Sequence, residues 1–208
     1  DLTDEMRAEW KVKNVPLTLT LGEESYTDDE NLDVPDFMQR MHACKGRVGS
    51  AAPAPGLFAE AFGTGNAFAV TLSSSLSGTY ASAMAGKSIA EESGAKVHVI
   101  DSRSAAAAEV LIVMKIRKAI EEGLQRSEII SKIENFIKEM CTFFVLDNVD
   151  NLRKNGRLNR ITAPIIFHPA GASNANSAPG DNVVVSTSRR RPVPSSAYTF
   201  SAPCSFTC

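Results

Sequence analysis

Apolar runs and helical periods alternate along the middle of this chain. Residues 67–72 form an apolar run that predicts a strand, and residues 79–93 carry small residues in a pattern typical of a helix. The same order repeats in the strand predicted over 96–100 and the helix predicted over 105–122. Strands separated by helices imply parallel pairing, so the pattern predicts an α/β fold with a mostly parallel sheet flanked by helices.

Further elements are predicted beyond this repeat. The helix over 105–122 carries apolar side chains on roughly one face: Val110, Val113, Met114, Ile116 and Ile120. Gly123 ends this helix, and Ser127 is predicted to cap the next one. The apolar run 142–146 predicts a buried strand, and a short helix is expected over 149–154.

The first 60 residues have a less regular pattern. It predicts a strand within 13–21, a turn over 22–26, a helix over 35–41, a loop over 49–56 and a short helix over 57–62. No internal repeat is present.

The C-terminal part of the chain has a different composition. From Pro164 onward it is rich in Ser, Ala, Asn and Pro, and only 182–186 has a strand-like pattern. The change predicts an N-terminal α/β domain over 1–147. Residues 148–208 are then expected to be the start of a second α/β domain that is truncated or irregular.

The overall composition excludes several classes of function. With 208 residues, 43% of them hydrophobic, the chain can bury a core of normal size. A net charge of −2 attracts no nucleic acid, and the basic run 189–191 is expected to be a solvated tail. No apolar stretch has the roughly 18 residues of a membrane span, so no stable membrane insertion is expected.

The cysteines and histidines are scattered without the spacing of metal ligands, so no metal site is predicted. A reduced, cytoplasmic protein is the simplest interpretation of this cysteine usage. A disulfide or a metal site at Cys204 and Cys208 remains the alternative.

The strongest chemical signal is the turn that follows the strand over 67–72. Residues 73–77 are Ser-Ser-Ser-Leu-Ser, and Gly78 opens the next helix. Hydroxyls and backbone N–H groups at the positive end of a helix favour an anion, which can be an oxyanion, a phosphate or a carboxylate.

Other interpretations of this turn stay open at this point. Ser77 can be a helix cap with no ligand. A serine here also suits an acyl hydrolase or transferase, although the chain has no Gly-x-Ser-x-Gly motif and no histidine in a triad context. A ligand-free regulatory protein is a third possibility. Nucleotide binding is disfavoured because the Gly-Thr-Gly of residues 63–65 lacks a third glycine and precedes a strand.

Three motifs stand in order along the chain and together point to a family. Ser50 lies in Ser-Ala-Ala-Pro-Ala-Pro-Gly, Ser77 in Ser-Ser-Leu-Ser-Gly-Thr-Tyr, and Arg157 in Leu-Arg-Lys-Asn-Gly-Arg-Leu. The set, which extends over about residues 1–163, resembles the DegV family of bacterial fatty-acid-binding proteins. After Thr162 the resemblance to the family's second half ends.

The resemblance implies a two-domain α/β protein that holds a long-chain fatty acid in a buried tunnel. It assigns the carboxylate to the hydroxyls of Ser50 and Ser77, with Arg157 near the head group. Gly78, Ser74 and Thr79 belong to the same predicted ligand-binding set. The family's role implies no catalysis and no cofactor in this chain, which would present the fatty acid to a partner, the catalytic protein of a fatty acid kinase.

Overall fold

A computed structural model describes residues 2–142 and the backbone of two further strands, 144–146 and 165–167. Its elements are, in chain order, α1 (Asp4–Trp10), β1 (Thr18–Leu21), β2 (Glu24–Thr27), α2 (Val34–Ala43), β3 (Val48–Ala51), α3 (Pro55–Phe62), β4 (Asn66–Thr71), α4 (Thr79–Glu92), β5 (Lys96–Asp101), α5 (Ala107–Glu121), α6 (Arg126–Glu139), β6 (Phe144–Leu146) and β7 (Ile165–Phe167). β4 pairs with β5 and β6 with β7 in parallel, whereas β1 lies between β2 and β3 in an antiparallel sheet. The fold is therefore α/β with parallel strands and flanking helices, as the alternating pattern predicts.

The described chain divides into two compact units, one of residues Thr3–Asp101 and one that begins at Ser102. In the first unit, α4 crosses from β4 to its parallel neighbour β5 and packs on both strands. The buried core of this crossover is apolar and built largely from small side chains: Phe58, Ala83, Ala90, Ala95, Val97 and Val99. Small residues in α4 allow the helix to lie close to its neighbours.

The closest approach joins α4 to α3. A Cβ atom placed on Gly86 would lie 2.5 Å from the Cβ atom of Phe58 and 2.6 Å from the carbonyl oxygen of Pro55. Real Cβ atoms do not approach other atoms this closely, so a side chain at residue 86 would push the two helices apart. The helix packing that positions the N-terminus of α4 therefore depends on a glycine one turn beyond Ser82.

In the second unit, α5 and α6 pack on each other through isoleucine-rich stripes. The buried residues of α5 are Ala108, Ile112, Ile116 and Ala119, and those of α6 are Ile129, Ile133 and Ile137. The face predicted for α5 is only partly correct, because Met114 and Ile120 are 42% and 48% exposed. The helix buries a stripe offset from the predicted one, and this stripe includes two alanines, whose small side chains give a weak periodic signal.

Several predictions for the first 60 residues are wrong in detail. The loop expected over 49–56 contains most of β3, which pairs with β1, and the turn expected over 22–26 contains most of β2. Residues 15–17 precede β1 and are not part of it. These short strands have little intrinsic β-pattern, so pairing with neighbours decides their conformation.

The start of α6 also differs from the prediction. The cap residue is Gln125, not Ser127, and the carboxylate of Glu128 accepts a hydrogen bond from the Gln125 amide at 2.7 Å. Ser127 lies inside the first turn of the helix. The acid three residues beyond the cap fixes this helix start.

Some predictions concern residues outside those that the structure describes. They are the helix over 149–154, the strand over 182–186, the basic run 189–191, and the predicted residues Arg157, Cys204 and Cys208. The domain boundary after residue 147 also stays a prediction. Among the helices of the described residues, none has the length and apolar character needed to cross a membrane.

Candidate functional site in the turn between β4 and α4

The site begins where β4 ends against β5. Thr71, the last residue of β4, is 2% exposed and donates its hydroxyl to the carbonyl oxygen of Ile100 at 3.2 Å. Ser73 is also buried, and its carbonyl oxygen accepts the amides of Leu76 and Ser77 at 2.9 and 3.0 Å. The chain therefore turns tightly after the strand and enters α4 from a fixed position.

Ser77 and Thr79 form the hydroxyl pair at the start of α4. Their side-chain oxygens lie 2.7 Å apart, and Ser77 Oγ accepts the amide of Thr79 at 3.2 Å. Gly78 is the cap residue and supplies no side-chain hydrogen bond. Ser77 thus lies one residue before the cap position, where its half-buried hydroxyl can still donate to a ligand.

Ser74, another residue of the predicted ligand-binding set, is hydrogen-bonded to the neighbouring strand β5. Its amide donates to Asp101 Oδ1 at 3.0 Å, and its hydroxyl donates to Asp101 Oδ2. Both donors of Ser74 are therefore used by a carboxylate at the end of the neighbouring strand. Sequence reasoning missed this link. The parallel order of the strands is the signal that could have revealed it, because their carboxyl ends meet at one edge.

Ser50 approaches the same turn from another element. It is half-buried on β3, opposite Leu19 of β1. Two residues further on, the Cβ atom of Ala52 lies 3.7 Å from the position that a Cβ atom would occupy on Gly78. Two residues span about 7 Å at most, so β3 brings Ser50 near the start of α4.

A hydrogen bond that sequence reasoning missed holds this contact in place. Ser82, in the first turns of α4, donates its hydroxyl to the carbonyl oxygen of Pro53. The segment after β3 is thus fixed to the same helix end that carries Ser77. The spacing of Ser82 from Gly78 gives no sign of this bond, because its acceptor is a backbone atom 29 residues away.

The electrostatic setting of this helix end suits an anion. Among the described helices, α3 and α4 have no acidic residue in their first turn, whereas the others carry Asp4 and Glu5, Asp36, Glu109 and Glu128 there. The first amides of a helix lack intrahelical acceptors, and the helix dipole makes that end positive. The helix ends near Ser50 and Ser77 are therefore the ones that leave this positive potential unneutralised by a first-turn carboxylate.

A serine nucleophile has poor support from this geometry. Among the described residues, the bonding partners of Ser77 Oγ are the amide and hydroxyl of Thr79, and neither can act as a general base. His98 lies within β5, and its ring meets the edge of Phe68 at a centroid distance of 6.2 Å. Within the part of the chain that the structure describes, the acyl hydrolase interpretation therefore finds no base hydrogen-bonded to Ser77.

An open cleft of about 740 Å³ lies elsewhere in the first unit, between α1 and α3. It includes neither Ser50 nor Ser77. Charged residues of both signs line it: Asp4, Arg7, Lys13, Glu30 and Glu60. Apolar residues, among them Val12, Val15 and Leu57, line much of the rest. Because neither motif serine belongs to this cleft, the hydroxyl turn remains the candidate site for the carboxylate.

Comparisons with known proteins agree with the motifs. A family model described as an uncharacterised protein of the DegV family matches residues 1–166. The chain belongs to the DegV family. A DegV domain-containing protein of Streptococcus gordonii is 38% identical over 160 residues, which are 76% of this chain and 57% of that protein. The chain thus spans a little over half the length of the curated relatives it matches.

Solved structures show the same fold. A DegV family protein of Ruminococcus gnavus with vaccenic acid gives a TM-score of 0.71 at 34% identity, covering 76% of this chain and 58% of the other. The fatty acid kinase B3 protein of Streptococcus pneumoniae, loaded with linoleic acid, gives a TM-score of 0.66 at 39% identity. The match covers 69% of this chain and 52% of the other. Fatty acids are therefore bound by these structural neighbours of the DegV fold.

Proposed function

We propose that this DegV protein binds a long-chain fatty acid and holds its carboxylate at the turn between β4 and α4. Ser77 and Ser50 supply hydroxyl donors, and the first turn of α4 supplies amides and the positive end of its dipole. The observation that carries the proposal is the convergence of the Ser50 strand and the Ser77 turn. Ala52 packs beside Gly78 and Ser82 holds Pro53.

A carboxylate in an apolar site requires such donors. An ionised group that is removed from water without partners is costly, so the head must be hydrogen-bonded or neutralised. Hydroxyls and helix amides can do this without a metal. Arg157, which the resemblance places near the head group, would add a bidentate cationic partner.

The acyl tail would provide most of the binding free energy. Each buried methylene contributes about 0.8 kcal/mol, so a 16-carbon chain yields roughly 10 kcal/mol before the losses of association. The tail therefore sets affinity, and the head fixes the orientation of the lipid. The solved neighbours loaded with linoleic and vaccenic acid support this choice of ligand class.

The presentation of the bound lipid to a partner is the second part of the proposal. The partner is the catalytic protein of a fatty acid kinase, which would transfer the γ-phosphoryl group of ATP to the bound carboxylate. The similarity to the fatty acid kinase B3 protein supports this role. Phosphorylation of bound fatty acid should therefore require the kinase protein, and this chain alone should form no acyl phosphate from ATP.

The head-group assignment is tested by comparing palmitate with methyl palmitate, which lacks the negative charge. The Ser77→Ala variant should bind palmitate about tenfold more weakly and methyl palmitate almost as well as the unaltered protein. Isothermal titration with both ligands measures the two ratios. Equal losses for acid and ester would show that Ser77 does not contact the carboxylate.

Ser88→Ala is the matched control for this experiment. Ser88 is an exposed serine of the same helix whose hydroxyl donates to the carbonyl oxygen of Met84 at 3.3 Å. Its removal should leave the affinity for both ligands unchanged. A loss of palmitate affinity in this control would indicate a general effect on α4, not loss of a head-group contact.

A further inference from the structure

The Ser74–Asp101 link stands apart from the predicted ligand contacts. The carboxylate of Asp101 accepts both the amide and the hydroxyl of Ser74, with 3.0 Å between the amide nitrogen and Oδ1. The register of β4 and β5 makes this link possible because it pairs Thr71 with Asp101 at the ends of the two strands. Ser74 and Asp101 lie in the same compact unit.

This link controls the shape of the turn. Ser74 follows the buried Ser73, whose carbonyl oxygen receives the amides of Leu76 and Ser77. Ser73 Oγ in turn lies 2.8 Å from Ser75 Oγ. Fixing Ser74 at two atoms therefore restricts the segment whose last residue is Ser77.

We propose that Asp101 is a positioning residue for the fatty acid site, which acts by holding the turn so that Ser77 faces the carboxylate head. The proposal rests on the proposed function. It assigns Ser74, predicted to contact the ligand, to the support of the turn. It also explains why a negative charge stands beside a site for an anion, since that charge is hydrogen-bonded to the turn.

The direction of the effect distinguishes positioning from simple electrostatics. Ser77 is three positions beyond Ser74 in the chain, and Asp101 is hydrogen-bonded to Ser74, so Asp101 lies within about 13 Å of the site. Removing a negative charge at that distance should strengthen the binding of an anion slightly, by less than about twofold at physiological salt. Positioning predicts the opposite, because a turn that is no longer held loses the geometry of its donors.

The test measures binding of palmitate and methyl palmitate to Asp101→Ala, Asp101→Asn and Ser74→Ala. Asp101→Ala should lower the affinity for palmitate about tenfold and that for the ester less than twofold. Asp101→Asn keeps one acceptor for the Ser74 amide and should recover part of the loss. The double variant Asp101→Ala/Ser74→Ala should bind palmitate about as weakly as Asp101→Ala alone, because the two substitutions break the same Ser74–Asp101 link.

A measurement without ligand tests the turn directly. Hydrogen exchange of the Leu76 and Ser77 amides should be about tenfold faster in Asp101→Ala than in the unaltered protein. Glu92→Ala removes one charge from an exposed position at the far end of α4 and should change neither exchange nor affinity.

The outcomes separate the two proposals. Failure of the unaltered protein to bind palmitate would overturn the proposed function itself. The role of Asp101 alone would be overturned by a different result, in which the unaltered protein binds palmitate normally. In that case Asp101→Ala would either lose affinity equally for palmitate and for its methyl ester, or bind palmitate more tightly. If Asp101→Ala does not fold, Ser74→Ala decides the matter, since it deletes only the hydroxyl half of the link.

Discussion

Two turns of this protein join a parallel strand to a helix and are rich in hydroxyls, yet they differ in what their hydroxyls do. In the turn after β4, Ser77 is half-buried and lies at a helix end with no first-turn acid. In the turn after β5, Ser102 and Ser104 are 0% and 2% exposed. Similar sequence patterns thus give one turn with accessible hydroxyls and one turn that is closed.

The closed turn uses its polar groups internally. Ser102 Oγ accepts the amide of Ser104 and donates to its carbonyl oxygen, both at 3.1 Å, and the Ser104 hydroxyl pairs with that of Thr142. The helix that follows has its own carboxylate, because Glu109 accepts the amide of Ala106 at 3.1 Å. A carboxyl group already takes up an amide of this helix end, so the turn after β5 is less suited to an anionic ligand.

The comparison shows that a helix N-terminus after a serine-rich turn is not in itself an anion site. Burial of the hydroxyls and an acid in the first turn both remove the capacity to bind one. Each of these features can be altered by substitution.

The position of the turn after β4 depends on how α4 packs against α3, so the largest effect is expected at Gly86. Gly86→Ala places a methyl group against Phe58 and the backbone of Pro55, and should lower the free energy of unfolding by about 3 kcal/mol or more. Urea denaturation measures the change. Gly56→Ala in α3, where nothing lies within 4 Å of an added Cβ atom, is the control and should be neutral or stabilising. Similar stability of the two variants would contradict the close approach of the helices.

The acid of the closed turn predicts a pH dependence. Burial raises the pKa of Glu109 from 4.5 to about 7, and the hydrogen bond from Ala106 opposes this shift only in part. The folded protein therefore binds this proton more tightly than the unfolded chain does. Stability should fall by up to about 3 kcal/mol as the pH rises from about 4.5 through 7, and level off above that. Denaturation across this range should show the decline, and Glu109→Gln should remove it; an unchanged slope in the variant would disprove the assignment.

A serine of the closed turn should affect stability and not ligand binding. Ser102→Ala leaves the buried amide of Ser104 without its acceptor and should lower the free energy of unfolding by about 1–2 kcal/mol. Palmitate affinity should be unchanged, in contrast to Ser77→Ala. Loss of palmitate binding in Ser102→Ala would mean that both turns contribute to the site, and the distinction between them would fail.

The smallest effect is expected at the cap of the open turn. Gly78 has ordinary helical backbone angles, and an added Cβ atom would lie 3.7 Å from Ala52. Gly78→Ala should therefore change the free energy of unfolding by less than about 0.5 kcal/mol. A loss comparable with that of Gly86→Ala would show that β3 and α4 are packed more tightly here than the structure indicates.

The longer elements were predictable because their patterns repeat. The strand and helix expected over 67–72 and 79–93 correspond to β4 and α4 within a residue at each end. The start of α6 lies two residues before the predicted cap, Ser127. The side chain that fixes it is Glu128, which lies inside the helix and accepts the amide of Gln125. The local sequence of β3 predicts a loop because it contains Gly49 and is followed by two prolines, whereas pairing with β1 sets its extended conformation.

The candidate site was predictable in part, for a related reason. The hydroxyls at 73–79 follow directly from local sequence, and so does the positive helix end. The link from Ser74 to Asp101 and that from Ser82 to Pro53 join residues 27 and 29 positions apart, respectively. Local propensities carry no information about such partners, which are chosen by the strand register and by helix packing.

The alternation of β4, α4, β5 and α5, the hydroxyl turn before α4 and the resemblance to the DegV family were determined by the sequence alone. The first two depend on residues that are near one another in the chain, and the resemblance depends on motifs that can be recognised without their spatial arrangement. Only the tertiary structure decided which hydroxyls remain accessible. Ser77 stays half-buried, whereas Ser102 is fully buried, because burial depends on what the rest of the fold packs over each turn. The tertiary structure also brought Ala52, the residue after β3, beside Gly78, since contacts between distant segments form only when the whole fold is in place.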